Sequence, residues 1–153
     1  MKIQWKKLII CILIPLAVGS LSALLTRDAA QAFDLLDKPS LSPPAWLFPV
    51  AWTILYILMG ISSYIVLVSG KPASRALFIY AVQLFFNFAW TLIFFNLEAY
   101  LVAFIWLTVL WLLILAAIIM FSRISKPAAL LMIPYILWVT FAGYLNLMIY
   151  ILN

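Results

Sequence analysis

The stretch K-P-S-L-S-P-P-A-W-L-F-P-V-A-W-T-I-L-Y-I-L-M-G occupies residues 38–60 and joins a polar loop to a long apolar segment. Pro43 and Pro44 follow Ser42, whose side-chain oxygen can cap the free amides of a first helical turn. Proline at such a position loses no intrahelical hydrogen bond. We therefore expect a helix that begins at Pro43. Pro49 would then lie about two turns into this helix and bend it near its start.

Hydrophobic residues make up 69% of the 153-residue chain and charged residues only 8%, and the mean hydropathy is +1.26. This composition is typical of an integral membrane protein. Several uncharged runs reach the roughly 18 to 20 residues that a helix needs to cross the hydrocarbon of a bilayer. We therefore predict an all-α integral membrane protein, a bundle of five transmembrane helices. The single domain covers 1–153, with spans 8–26, 43–69, 75–97, 99–122 and 127–151 and a long loop at 27–42.

The uneven distribution of charge between the predicted loops sets the expected orientation, because flanking lysine and arginine stay on the cytoplasmic side. With the amino terminus inside, seven of the nine basic residues are cytoplasmic: Lys2, Lys6, Lys7, Lys71, Arg75, Arg123 and Lys126. The outer side then holds Arg27, Lys38, Asp28, Asp34, Asp37 and Glu98. We expect a bacterial cytoplasmic membrane, with the long loop and the carboxyl terminus outside. The net charge of +5 favours anionic lipid head groups over nucleic acid as partners.

The first predicted span has a second interpretation, because lysines precede it and residues 30–32 (Ala-Gln-Ala) resemble a signal-peptidase site. The apolar run from Leu8 to Leu25 is longer than the usual signal core of about 7 to 15 residues. It also contains small residues that favour close helix packing in membranes, namely Gly19, Ser20, Ser22 and Ala23. We expect it to remain as a span. Cys11 is the only cysteine, so no disulfide can form within the chain.

The connection from about Thr26 to Ser42 is the only long one between predicted spans. Long loops in compact domains are commonly lids or binding segments, and this one leads into the proline-tryptophan stretch. We consider two interpretations, a lid over the outer end of the bundle and a surface loop without a binding role.

Three spans each carry aromatic and polar side chains on one helical face. In the third span, Gln83, Asn87 and Trp90 are spaced four and three apart and share one side of the helix near the middle of the bilayer. Amides at this depth need partners, either on neighbouring helices or on a ligand in an apolar cavity. Faces with the same spacing occur in the second and fifth spans, with Pro49, Trp52, Tyr56 and Gly60 and with Tyr135, Trp138, Ala142 and Asn146.

The residues absent from the sequence exclude several kinds of chemistry. Because the chain has no histidine, the commonest axial haem ligand and the Ser-His and Cys-His nucleophile pairs are ruled out. No Cys or carboxylate cluster offers a metal site, and no Gly-rich phosphate loop occurs. All four acids lie in loops or at helix ends, which argues against a proton-coupled pump.

Three stretches of the chain resemble the translocator proteins, whose bacterial members are called tryptophan-rich sensory proteins. They are the proline-tryptophan stretch from Lys38, Q-L-F-F-N-F-A-W-T-L-I-F-F from Gln83 and P-Y-I-L-W-V-T-F-A-G-Y-L-N from Pro134. The resemblance implies a five-helix bundle, often a homodimer, with a pocket that opens toward the first loop. In that family the pocket binds porphyrins and benzodiazepine-type or isoquinoline drugs, and animal members bind sterols.

The resemblance implies that Trp52 and Trp138 form stacking walls, that Asn87 hydrogen-bonds the ligand and that Ala142 leaves room for a flat ring. With their neighbours on the same faces, the predicted ligand-binding residues are Trp46, Trp52, Tyr56, Gln83, Asn87, Trp90, Trp138 and Ala142. The chain departs from the family pattern in the loop, where Leu41 replaces a common tryptophan and Ala32-Phe33 replaces a Trp-Tyr pair. No basic residue follows the last tyrosines, so we do not expect the family's sterol-recognition pattern here.

We therefore expect a membrane protein that binds a porphyrin-like tetrapyrrole and acts in sensing, scavenging or transport. The porphyrin is expected as a ligand, with no cofactor required and no metal bound. Some bacterial relatives are associated with light-dependent porphyrin degradation, so an enzyme that uses Trp52 and Trp138 as electron donors is the alternative. A third interpretation is a helical scaffold without a pocket. The expected partners are the bilayer, the ligand and a second copy of the chain, and not nucleic acid.

Overall fold

The computed structural model describes residues 2–153, and this part of the chain contains seven α-helices and no strand. The helices are α1 (Trp5–Leu25), α2 (Ala29–Leu35), α3 (Leu47–Leu67), α4 (Ser74–Phe95), α5 (Tyr100–Ile124), α6 (Lys126–Leu131) and α7 (Ile133–Leu152). Four of them, together with the continuous segment Lys126–Leu152 that contains α6 and α7, are long and apolar enough to cross a membrane. The prediction of a five-helix transmembrane bundle is confirmed.

The five spanning segments alternate in direction, so the carboxyl ends of α1, α4 and α7 meet the amino ends of α3 and α5. We call this the mouth end of the bundle. Asn96 donates a hydrogen bond from Nδ2 to the Leu25 carbonyl at 3.0 Å, which joins the ends of α4 and α1. Asn153 accepts from the Asp37 amide at 3.1 Å and donates to the Asp37 carbonyl at 2.9 Å. The long connection is therefore tied to the end of α7.

The second spanning helix begins later than the sequence predicts, at Leu47 and not at Pro43. Proline disfavours the helical conformation of the residue before it, so Pro44 keeps Pro43 out of a helix. Turns take the place of the predicted first helical turn, with the Leu47 amide donating to the Pro44 carbonyl at 3.0 Å. Pro49 consequently lies in the first turn of α3, where an amide has no intrahelical partner to lose. Pro49 therefore removes no hydrogen bond from α3, and the reason given for a bend at this residue does not apply.

The last spanning segment is divided, because α6 ends at Leu131 and α7 begins at Ile133. Pro134 lacks an amide hydrogen and cannot continue the hydrogen-bond ladder of α6. On the side facing the bundle, Ser62 of α3 donates to the Ala128 carbonyl at 2.7 Å. This bond between helices holds α6 at the end of the bundle opposite the mouth.

Close packing of α1 against α3 depends on two glycines. A side-chain carbon at Gly60 would lie 2.5 Å from Ile12 Cα and 2.7 Å from the Cys11 carbonyl oxygen, so the two backbones touch there. A side-chain carbon at Gly19 would overlap the Tyr56 ring. The expectation that small residues in the first span permit close packing therefore applies at Gly19, which lets α1 lie against the aromatic face of α3.

Candidate functional site: an aromatic cavity at the mouth end

A cavity of about 410 Å³ lies inside the mouth end of the bundle. Its volume is within the range of about 300–1,000 Å³ that is usual for small-molecule sites. Residues from α1, α2, α3, α4, α7 and the connections beside α2 line it. They are Leu16, Gly19, Ser20, Ser22, Ala23, Thr26, Arg27, Ala29, Ala30, Phe33, Ala45, Phe48, Pro49, Trp52, Thr53, Tyr56, Trp90, Thr91, Phe94, Phe95, Ala142, Leu145, Asn146 and Ile149.

Aromatic rings from α3 and α4 form much of the cavity wall. Trp52 and Tyr56 are four residues apart on α3 and therefore share one face. Their rings stack at a centroid separation of 5.6 Å and an interplanar angle of 28°. On α4, Trp90 and Phe94 lie 5.6 Å apart with tilted rings. The cavity thus offers flat, electron-rich surfaces of the kind on which a planar ligand stacks.

Four buried polar side chains form a hydrogen-bonded chain that begins at Tyr56 on the cavity wall, and we call it the tyrosine-amide network (Tyr56, Asn87, Tyr135 and Gln83). The Tyr56 hydroxyl donates to Asn87 Oδ1 at 2.8 Å. Asn87 Nδ2 donates to the Tyr135 hydroxyl at 2.8 Å, which in turn donates to Gln83 Oε1 at 2.7 Å. No member is more than 7% exposed. The network joins α3, α4 and α7 and holds Tyr56 in place under the cavity.

A second polar contact fixes the side of the cavity. Trp90 donates from its indole nitrogen to Asn146 Oδ1 at 3.0 Å, and Asn146 Nδ2 donates to the Tyr100 carbonyl at 2.8 Å. These bonds join α4, α7 and α5. Because Trp90 and Asn146 both line the cavity, their mutual hydrogen bond sets the orientation of the Trp90 ring.

The short helix α2 covers part of the cavity and is anchored by Phe33, which is 5% exposed and lines the cavity wall. The Phe33 ring meets the Phe48 ring edge to face at 5.0 Å. Lys38 donates from Nζ to the carbonyls of Phe33, Asp34 and Leu36 at 2.8, 3.0 and 3.2 Å. A lysine at this position satisfies the free carbonyls at the end of a helix and favours its dipole. The long connection, for which a lid was one of two interpretations, therefore contains an ordered helix at the cavity.

The structure brings four of the eight predicted ligand-binding residues to the cavity wall: Trp52, Tyr56, Trp90 and Ala142. Gln83 and Asn87 lie behind Tyr56 within the tyrosine-amide network and are at most 1% exposed. The sequence indicates two kinds of partner for these amides, neighbouring helices or a ligand. The structure shows hydrogen bonds to neighbouring helices. Their contact with a ligand stays a prediction.

The other two predicted residues lie away from the wall. Trp46 is 67% exposed at the amino end of α3. Trp138 does not line the cavity but meets the ring of Phe48, which does, edge to face at a centroid distance of 6.0 Å. The Trp138 indole nitrogen is buried and has no hydrogen-bond partner among residues 2–153. Ligand contact by these two tryptophans also stays a prediction.

Several wall residues were not among the sequence candidates. Phe33 gave no periodic signal, because it lies in the connection, whereas Phe48 lies four residues before Trp52 and shares its helical face. Ser22 and Thr26 follow Gly19 at spacings of three and four, so this face of α1 could have been read from the sequence as a lining face. Within residues 2–153, no three Cys, Asp or Glu side chains are grouped as metal ligands.

Comparison with known proteins agrees with the resemblance seen in the three motifs. The model of the TspO/MBR family matches residues 11–152. The chain is 40% identical over 150 residues to the tryptophan-rich protein TspO of Chlorobaculum tepidum, covering 95% of each chain. It is 38% identical over 130 residues to the tryptophan-rich sensory protein of Cereibacter sphaeroides, covering 85% of this chain and 80% of that one.

An animal protein also matches, the translocator protein of Bos taurus, at 34% identity over 139 residues and with 88% of this chain and 82% of that one covered. The family match covers α1 from Cys11 onward, the other four spanning segments and the residues that line the cavity. The chain is an integral membrane protein that belongs to the TspO/MBR family.

Proposed function

We propose that the protein binds a porphyrin-like tetrapyrrole in the cavity at the mouth end and acts in its sensing, scavenging or transport. The observation that carries this proposal is the stacked pair Trp52 and Tyr56 on the wall of a largely apolar cavity. A flat macrocycle buries one face when it lies against such rings, and the gain comes from aromatic stacking and apolar burial. No metal ligand is required for this mode of binding.

The arrangement around the cavity also fits a ligand that is large and flat. Ala142 is 6% exposed and lines the cavity together with the aromatic residues of α3 and α4. A small side chain there leaves space that a larger residue would fill. The tyrosine-amide network fixes the Tyr56 ring before a ligand arrives, which reduces the entropy lost on binding. Benzodiazepine-type and isoquinoline drugs are smaller flat molecules, and we expect them to compete for the same space.

Titration with protoporphyrin tests the proposal in protein reconstituted into lipid nanodiscs. Bound porphyrin is expected to quench tryptophan fluorescence, and Trp52→Leu to weaken binding about tenfold, because stacking against an indole is lost. Trp5→Leu is the matched control, since Trp5 is 63% exposed at the other end of α1. Equal affinity of Trp52→Leu and the control would refute binding on this wall.

A light-dependent enzyme that degrades the porphyrin is the second candidate. It is favoured by the contacts of Trp52, which stacks on Tyr56 and meets Tyr135 edge to face at 6.1 Å. In this mechanism an electron-rich ring donates an electron to the photo-excited macrocycle, and the reduced macrocycle passes it to dioxygen from solution. The oxidised ring then takes an electron back from the macrocycle, so the macrocycle is the net reductant and dioxygen the net oxidant. Illumination of the complex in air discriminates the two functions. A defined product that disappears in Trp52→Phe and Trp138→Phe supports the enzyme, whereas equal bleaching in all variants argues against it.

A further inference from the structure

Arg27 is the one charged residue among those that line the cavity, all of which lie in the described part of the chain. It occupies the turn between α1 and α2, at the rim of the mouth end. The turn is fixed on both sides of Arg27. Thr26 donates from its amide and its hydroxyl to the Ser22 carbonyl at 3.1 and 2.9 Å, and the Ala29 amide donates to the Thr26 carbonyl at 3.0 Å. The backbone therefore holds Arg27 at the cavity rim.

The guanidinium of Arg27 makes no hydrogen bond and no ion pair with any group of residues 2–153. Two other polar side chains of the lining are already bonded within the protein, whereas the hydroxyls of Ser20, Ser22 and Thr91 are uncharged groups without such a bond. Thr53 donates its hydroxyl to the Pro49 carbonyl at 2.7 Å, and Asn146 is paired with Trp90. The neighbouring acid, Asp28, does not line the cavity. The guanidinium of Arg27 thus supplies five unpaired donors and the one positive charge at the rim of a largely apolar and aromatic site.

We propose that Arg27 binds a carboxylate at the edge of the ligand, so that the ligand of this cavity is a planar apolar acid and not a neutral ring. This inference rests on the proposed porphyrin site. A porphyrin diacid would place its macrocycle against Trp52 and Tyr56 and extend an acid side chain to the rim. The planar guanidinium pairs with a carboxylate through two parallel hydrogen bonds, which gives direction as well as attraction. The acid end thereby sets which edge of the ring enters first.

A lipid phosphate at the membrane surface offers Arg27 the same charge as a ligand carboxylate. The two sources differ in what they predict for ligand choice. A bond between Arg27 and a lipid phosphate does not depend on the functional groups of the ligand, so it gives no preference between a porphyrin acid and its ester. A bond to the ligand carboxylate gives a preference that disappears with the guanidinium.

The experiment measures the affinities of protoporphyrin and of its dimethyl ester by tryptophan quenching, in nanodiscs of phosphatidylcholine without anionic lipid. Wild type is expected to bind the acid about fivefold more tightly, since a charge pair at a partly exposed rim gives a modest gain. Arg27→Gln should reduce the acid-to-ester ratio to about one, and Arg27→Lys should keep part of it. Arg123→Gln, which removes an exposed cation at the end of α5 opposite the mouth, should leave the ratio at the wild-type value.

Each result supports or overturns the inference. A ratio that is lost in Arg27→Gln alone supports it. Three results overturn it while the porphyrin site stands: an acid-to-ester ratio that is unchanged in Arg27→Gln, a wild-type ratio near one, or an equal loss of acid and ester affinity in Arg27→Gln. Failure of both porphyrins to quench wild-type fluorescence overturns the proposed function and this inference with it.

Discussion

Replacing Tyr135 by phenylalanine removes one hydroxyl from the centre of the tyrosine-amide network. This hydroxyl accepts from Asn87 at 2.8 Å and donates to Gln83 at 2.7 Å, and the side chain is fully buried. The substitution keeps the ring and its edge contact with Trp52, which lies at 6.1 Å. The change in stability therefore reports the two hydrogen bonds and not a cavity in the core.

The magnitude follows from the burial of the two groups that lose their partner. Hydrogen bonds between membrane helices contribute about 0.6 kcal/mol each on average, so two of them give a loss of about 1 kcal/mol. The Gln83 carbonyl oxygen and one amide hydrogen of Asn87 are then left unpaired without access to water, which raises the loss toward about 3 kcal/mol. We expect Tyr135→Phe to lower the free energy of unfolding by about 1 to 3 kcal/mol.

Tyr80→Phe is the matched control, because the Tyr80 hydroxyl is buried and has no hydrogen-bond partner among residues 2–153. Its ring stacks on Phe121 at 5.9 Å, a contact that phenylalanine preserves. Removing an unpaired buried hydroxyl should leave stability unchanged or raise it. Unfolding in mixed micelles with increasing sodium dodecyl sulfate, followed by far-ultraviolet circular dichroism, compares the two variants. Equal midpoints for the two variants would refute the stabilising role of the network.

Three further predictions concern packing, the cavity and α2. Gly60→Ala should destabilise the bundle by about 1 to 3 kcal/mol, because the added carbon meets the Ile12 backbone. Gly143→Ala should be neutral in the same unfolding assay, because the nearest atom to the added carbon is 3.8 Å away. Ala142→Phe should fill the cavity and weaken protoporphyrin binding at least tenfold with no loss of the helical circular dichroism signal; retained affinity would show that the ligand binds elsewhere. Lys38→Met removes three hydrogen bonds at the end of α2, so limited proteolysis between α1 and α3 should be faster in this variant. In wild type, bound protoporphyrin should slow the same cleavage if the connection is a lid, and an unchanged rate would argue against a lid.

The sequence predicts the fold well because its strongest signal is the apolar composition of whole segments of about 20 residues, which does not depend on any single residue. Five uncharged runs, separated by one long and three short connections, determine the number of spans and their alternation. The exact start of α3 was predicted wrongly, since Ser42 and Pro43 look like a helix start when the effect of Pro44 on the preceding residue is left out. The short helix α2 was not predicted either. It is stabilised by contacts distant in the sequence, such as Phe33 on Phe48.

The cavity could be predicted only in part, and the reason is geometrical. Helical spacing identifies residues that share a face, and it led to Trp52, Tyr56, Trp90 and Ala142. Spacing does not say how deep a residue lies on that face, so Asn87 was not distinguished from the wall although it lies behind Tyr56. The spacing also gives no information on which side chains lie between two helices. For that reason the contact of Phe48 with Trp138 was not anticipated, although Phe48 lies four residues before Trp52 and shares its face.

The structure of the protein with protoporphyrin bound, determined under dim light, tests the central claim most directly. The account predicts the macrocycle inside the mouth end, with one face against Trp52 and Tyr56, its far edge near Ala142 and an acid group within hydrogen-bond distance of Arg27. A macrocycle bound on the outer surface, for example in the groove between α5 and α7 beside Trp111, with the cavity at the mouth end empty, would contradict it.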